Sequence, residues 1–221
     1  RHYEALGLTK LFSTDLCLFL IATQVILSTM ELPLKKIINS LKNHFLVAMP
    51  SLDDENFSGS VVYICEHNAE GAMGLIVNQQ LDIPAKAVFD RLDLEQKNNQ
   101  GDELIFDGGP MQQDRGFILH STSEKKWEST IHIGGDVSLS TSKDILGDIA
   151  LGGGPKDSLI TLGYSSWEAG QLEQELKENI WLTIPADSSI IFNTDCAQRA
   201  QAAALSIGLN LDSLALDSGH A

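Results

Sequence analysis

Cys65 and His67 are the side chains in this sequence whose types and spacing point most directly to chemistry. They sit two residues apart in Ser60–His67 (SVVYICEH), a β-branched and aromatic run that reads as a strand. Residues two apart on a strand share a face. Joined by His120, and with His44 nearby, they would offer zinc a Cys sulfur at about 2.3 Å and His nitrogens at about 2.0–2.1 Å. The same pair would equally serve as nucleophile and base. No metal-ligand spacing accompanies them, and strand cysteines are ordinarily inert core residues. The expectation is a satisfied polar pair beside a turn. A metal-binding, small-molecule-binding or catalytic role for Cys65, His67 and His120 is the alternative. No cofactor and no metal is expected.

Gly163-Tyr164-Ser165-Ser166-Trp167 resembles the G-x-S-x-G nucleophile elbow, in which a serine sits on a strand-to-helix turn. The last position is Trp where the elbow needs Gly for close packing. Ser165 has a simpler role as a helix N-cap, because Glu168 completes an S-x-x-E capping box. That glutamate would also compete with any anion for the free N–H groups of the helix start. Gly152-Gly153-Gly154-Pro155-Lys156 lacks the G-x-x-x-x-G-K-[ST] spacing of a phosphate loop and reads as a turn.

The elements that must position these residues follow from periodicity. His44–Met49 is a short apolar strand stopped by Pro50, and residues 51–60 form a polar loop. Ser60–His67 and Ala72–Asn78 make a hairpin around Asn68–Gly71, with Gly71 free to take positive φ. Ile83–Leu92 reads as a helix entered at Asp82 and Pro84. Further strands are expected at Leu104–Phe106, Gly116–His120, Thr130–Ile133, Val137–Ser140, Ser158–Tyr164, Trp181–Ile184 and Ser189–Phe192. Gly108-Gly109-Pro110 marks a turn. Ser142–Ala150 is a short helix with Thr141 and Asp144 as its capping box. Leu172, Leu176 and Ile180 recur every fourth residue, which predicts an amphipathic helix over Trp167–Ile180 whose solvated face carries Glu173, Glu175 and Glu178. Trp167 at its start would either cap the core or form a binding patch. A last helix, Cys196–Ile207, is capped by Asp195 and ended by Gly208. Hairpins followed by interleaved helices and strands give an α+β fold with a largely antiparallel or mixed sheet.

Several of these stretches, in order, resemble the AlgH/YqgE family of bacterial proteins. They are Asn43–Ser51 (NHFLVAMPS), Ser60–Asn68, Gly71–Asn78 (GAMGLIVN), Gly108–Pro110, Asp114–His120 (DRGFILH), Leu162–Leu176 (LGYSSWEAGQLEQEL) and Asn179–Asp187 (NIWLTIPAD). The resemblance covers roughly residues 40–221. It implies a split sheet forming a pseudo-barrel, flanked by helices. It carries a regulatory label from alginate production but no reaction, substrate or catalytic residue. A binding surface is expected where motif residues meet element ends, at Asp114, Arg115, His120, Tyr164, Trp167 and Glu168.

Composition narrows the function classes. Asp and Glu number 30 against 15 Lys and Arg, a net charge of −15. Nucleic-acid affinity rests on neutralising phosphates with cations, so direct DNA binding is not expected, nor is a polybasic membrane anchor. A protein partner fits better. Leu16–Leu27 is nearly all apolar yet too short for a bilayer, which takes about 20 residues. Its flanks lack a signal peptide's basic start and cleavage site. Residues 1–29 carry two positive and two negative charges, so the whole excess lies beyond them. They read as an upstream or signal-like segment, with Met30 as the start. Residues 30–42 read as a helical extension and 43–221 as a single domain. Cys17, Cys65 and Cys196 are an odd number of scattered thiols, as in a reducing cytoplasm. The reading is a cytoplasmic, non-enzymatic binding or regulatory module of open oligomeric state.

Overall fold

The computed structural model describes residues 40–97, 100–211 and 213. The expected upstream segment 1–29 and most of the helical extension 30–42 lie outside these residues. Residues 40–43 lead into the first strand without forming a helix.

Among the described residues ten strands form one sheet: β1 (His44–Ala48), β2 (Val61–Asn68), β3 (Gly71–Ile76), β4 (Gln80–Pro84), β5 (Leu104–Asp107), β6 (Met111–Ser121), β7 (Thr130–Gly134), β8 (Val137–Ser140), β9 (Ser158–Glu168) and β10 (Trp181–Pro185). Their order is β10-β1-β2-β3-β9-β6-β8-β7, and β4 joins through β5 to β9. Every pairing is antiparallel except β5 with β9. The helices are α1 (Ala85–Arg91), α2 (Lys143–Ala150), α3 (Gln171–Lys177), α4 (Ser188–Phe192) and α5 (Arg199–Ser206).

Alternation along the strands divides the core. On β1, Phe45 and Val47 face one side, while Leu46 and Ala48 face the other. The inner cluster draws on strands from β10 to β7: Phe45, Tyr63, Leu75, Phe117, Leu139 and Ile184 all belong to it. The sheet therefore curls strongly around these residues into a half-barrel, with Ile191 of α4 and Ala203 of α5 filling its mouth. Two clusters lie on the outer face. Phe89 of α1 and Ile145 of α2 cover Ile118 and Ile160. Leu172 of α3 covers Val62, Ile64 and Ile76. This is the α+β half-barrel that the residue pattern and the resemblance imply.

The glycine turn at 108–110 has a specific task. Strand β5 pairs with Thr161 and Leu162 of β9, and β6 pairs with the same two residues from the other side. Gly108–Pro110 must therefore carry the chain across β9. Gly108 donates its N–H to the Leu162 carbonyl at 2.7 Å, and its own carbonyl accepts from the Ile76 N–H at 3.0 Å. At Gly109 (φ 139°), a Cβ would sit 2.4 Å from Ser165 Oγ and 2.5 Å from the Tyr164 carbonyl carbon. At Gly163 (φ 75°), a Cβ would sit 2.4 Å from the Gly109 carbonyl oxygen. Backbone passes over backbone with no room for a side chain on either partner.

Four local expectations are corrected. Trp167 does not start a helix, because Ser165–Glu168 continue β9 and pair with Gly74–Gly71 of β3. The helix begins at Gln171 after Gly170 (φ 81°), so Ser165 is a buried strand residue and neither an N-cap nor part of an elbow. Ser189–Phe192 belongs to a helix, nucleated by Asp187, whose side chain accepts from the Ser189 N–H at 2.9 Å. The last helix starts at Arg199 after a short turn over Cys196–Gln198, without a side-chain cap from Asp195. Helix α2 has Ser142, not Thr141, at its N-cap.

Gly109→Ala is expected to cost about 3 kcal/mol or more, combining backbone strain with overpacking. Chemical unfolding by urea, compared with the exposed Gly59→Ala, checks it.

Candidate functional site

Cys65 and His67 are not brought together. Register slips between Ile64 and Glu66, leaving Cys65 as the extra residue of a β-bulge. The slip inverts the alternation beyond it. Cys65 packs with Tyr63 in the inner cluster, 2% exposed, its Sγ donating to the Tyr63 carbonyl at 3.7 Å. Burial pushes its thiol well above the ordinary range, opposed by Lys42 and reinforced by Glu66. His67 stands opposite Ala72, which belongs to the outer cluster under α3.

His67 is a tie between segments. Its Nδ1 accepts from the Leu41 N–H at 2.9 Å, so the proton resides on Nε2, which donates to Glu173 Oε1 of α3 at 3.1 Å. Ser40 Oγ donates to the His67 carbonyl at 2.9 Å. The chain entering β1, the end of β2 and α3 are thus joined through one residue.

His120 lies on a different part of the sheet, 1% exposed. Its Nδ1 donates to the Ser121 carbonyl and its Nε2 accepts from Ser140 Oγ, both at 2.9 Å. Since the Ser140 proton is used there, Thr130 Oγ1 donates to Ser140 Oγ at 2.6 Å. A serine donating to a histidine is the local geometry of an activated nucleophile. Ser140 is 0% exposed, however, so nothing outside reaches it. Burial lowers the His120 pKa, partly offset by the bond to Ser121. The ring of Trp127 stands edge-on to it at 5.2 Å, and Trp127 Nε1 donates to Asp148 Oδ2 at 2.6 Å. Among the described residues no group of three or more His, Cys, Asp or Glu is arranged to hold a metal ion.

The supposed solvated stripe of α3 is partly internal. One oxygen of Glu175, Oε2, accepts from Trp167 Nε1 at 2.8 Å and from Trp181 Nε1 at 2.7 Å, while Oε1 accepts from Gln171 at 2.9 Å. The two indoles meet edge-to-face with centroids 6.0 Å apart, beside Phe57. Trp167 is therefore a core residue, 5% exposed, and not a surface patch. Tyr164 is half-buried, edge-on to Phe117. Asp114 and Glu168 are exposed and Arg115 is half-exposed. Asp114 and Arg115 belong to an outward bulge. Met111 pairs with Tyr164 and Gly116 with Leu162, so Gln112–Arg115 oppose the single residue Gly163. Arg115 Nη1 donates to Gln112 Oε1 across this bulge at 3.0 Å.

A concavity lies where β5 and β9 part. Strands β5 and β9 pair only through Phe106 with Thr161 and Asp107 with Leu162. Continuing that register would set Leu104 against Leu159, but the strands splay apart there. The slot between them has a volume of about 500 Å³. Phe89, Ile105 and Ile160 of the outer cluster and Phe106 and Leu159 of the inner one flank it but are themselves buried, so its open surface is mostly polar, with Glu103, Lys156 and Asp157 at the rim. Arg199 reaches the slot from the start of α5, 6% exposed. Its Nε donates to the Thr194 carbonyl at 3.1 Å, its Nη1 donates to the Val77 carbonyl, and its guanidinium lies 5.1 Å from the Phe106 ring centroid. Burial lowers its pKa, opposed by Cys196 and Asp195. Among the described residues no carboxylate lies within ion-pairing distance of it. The sequence carried a faint signal: Arg199 shares a helix face with buried Ala203, a cation on a core-facing stripe.

The chain belongs to the AlgH-like family, whose profile matches residues 45–212. It is 49% identical to a UPF0301 protein of Saccharophagus degradans, over 82% of this chain and 89% of that protein. It is 48% identical to one from Thioalkalivibrio sulfidiphilus, over 83% and 98%. The solution structure of AlgH from Pseudomonas aeruginosa matches with a TM-score of 0.67 at 43% identity, covering 88% of this chain and 100% of that one. A Corynebacterium diphtheriae protein, DIP2367, shares the fold at 20% identity and a TM-score of 0.59, over 76% of this chain and 88% of its own. Function in this family is poorly defined.

Two outcomes are expected. Because the folded state resists protonating His120, the unfolded chain binds more protons as pH falls through about 6.5, the ordinary histidine value. Stability is full above that window and declines below it, by at most about 1.4 kcal/mol per pH unit until the folded value is passed. His120→Gln should flatten this decline relative to the parent in urea titrations across the window. Glu175→Ala strands two indole N–H groups and should cost about 2 kcal/mol, with altered tryptophan emission before unfolding.

Proposed function

We propose that the protein is a non-enzymatic binding module that acts through contacts with another protein, any influence on transcription being passed on by that partner. The observation that carries this reading is the bulge Gln112–Arg115. Four residues stand against Gly163, directly after the tight crossing at Gly108–Pro110. Bulges of this kind re-aim side chains at a working edge. Met111 beside it is 43% exposed, an apolar contact next to the Asp114 and Arg115 charges. The sequence-derived nucleophile and bases, by contrast, are spent on internal bonds and share no opening.

A net charge of −15 suits a partner with a basic surface and disfavours a phosphate backbone. Cys65 and Cys196 are free thiols, which fits a cytoplasmic setting for the module. No helix among the described residues is long and apolar enough to cross a membrane.

Replacing Gln113 with a photo-crosslinking residue, in cells carrying the native gene otherwise intact, tests the proposal. A discrete adduct is expected from position 113, absent when the probe replaces exposed Glu70, and lost on Asp114→Lys with Arg115→Glu. Those two changes should leave stability within about 0.5 kcal/mol. Equal labelling from both positions, or an adduct indifferent to the charge reversal, would overturn the reading.

A further inference from the structure

The slot between β5 and β9 holds a cation, Arg199, that has no carboxylate within ion-pairing distance among the described residues. Arg199 is more than nine-tenths buried, yet its described hydrogen bonds go to two carbonyls and its flat face to Phe106. A guanidinium carries five N–H donors and keeps its charge in proteins. Buried cations ordinarily sit against a carboxylate. Here Asp195 acts on it from beyond ion-pairing distance, and the slot's own acids are at the rim: Glu103 is exposed, and Asp157 is paired with Lys156 at 3.8 Å. The volume, about 500 Å³, falls in the range of about 300–1,000 Å³ that small-molecule sites occupy.

We infer that this slot is a binding site for a small organic carboxylate, its head group paired with Arg199 and its polar body lying along the open strand edges at 103–105 and 158–160. One guanidinium neutralises one carboxylate, and its fork matches both oxygens. A phosphate dianion would leave a charge uncompensated between two acidic residues, Glu103 and Asp157. The strand edges contribute as well. Residues 103–105 and 158–160 make no ladder pairs with each other, so the gap is open along the sheet and not merely over it. The site stands apart from the Gln112–Arg115 bulge and does not rest on its proposed role in protein contacts.

The test uses the full chain and follows backbone amide resonances while N-acetylglycine and N-acetylalanine are added, each against its own carboxamide, with inorganic phosphate as a further probe. Expected is a saturable shift of amides in 104–106 and 158–160 by a carboxylate, with the carboxamide at least about tenfold weaker and phosphate inert. Arg199→Lys keeps the charge but loses the fork, and should weaken the carboxylate about tenfold while a thermal melt certifies folding. Equal binding of carboxylate and carboxamide, tighter binding of phosphate, shifts confined to other regions, undiminished binding by a folded Arg199→Lys, or no binding of either carboxylate would each overturn the proposal.

Discussion

The whole sheet depends on one crossing, in which three residues carry the chain from one flank of β9 to the other. Strands β5 and β6 pair with the same two residues of β9 from opposite sides. A connection this short passes over a strand only in backbone contact with it, which a side chain on either partner would block. Here both partners in the contact are glycine, at 109 and 163. Gly108 completes the junction by bonding to β9 with its N–H and to β3 with its carbonyl. Three strands are fixed at one point. The consequences spread outward: β9 can change partners from β5 to β3 along its length, β6 acquires its bulge opposite Gly163, and β5 pivots away from β9 to open the slot.

Polar groups that look reactive in the sequence are used to fasten layers. His67 ties the entry of β1 to α3, Glu175 ties α3 to the two indoles beneath it, and the His120–Ser140–Thr130 chain ties β6, β8 and β7. Each buried donor or acceptor in these chains has its partner, which is the condition for such groups to be tolerated inside. Arg199 is different. Two of its five donors meet carbonyls and its face meets a ring, while no carboxylate among the described residues lies within ion-pairing distance.

Much of the fold was legible because strand alternation is local. The β2–β3 hairpin and the strands at β1, β7, β8 and β10 are where periodicity puts them. The failures are places where distant partners outvoted local pattern. Trp167 follows a serine and precedes a glutamate at capping-box spacing, yet its ladder with Ala72 and its indole bond to Glu175 hold it in a strand. Ser189–Phe192 is β-branched, yet Asp187 starts a helix there. Cys65 and His67 have strand spacing, but a bulge, invisible in the residues themselves, sets them on opposite faces. The candidate site suffered most. Arg199, Phe106 and Leu159 are far apart in sequence, and only the splaying of β5 from β9 assembles them. Asp114 and Arg115 were found because a motif carried them, while their exposure comes from a four-against-one register no local rule reports.

The shared carboxylate oxygen under α3 has an optical consequence. The chain contains three tryptophans, and two of them hang from that single atom with their rings edge-to-face. The third, Trp127, lies against the imidazole of His120 on the other outer cluster. Intrinsic emission therefore comes from just two stations, one beneath each helical covering of the half-barrel. Light from the paired indoles reports whether α3 is seated, and light from Trp127 reports the state of the α1–α2 layer, so the molecule carries its own two-channel probe of whether each layer is in place.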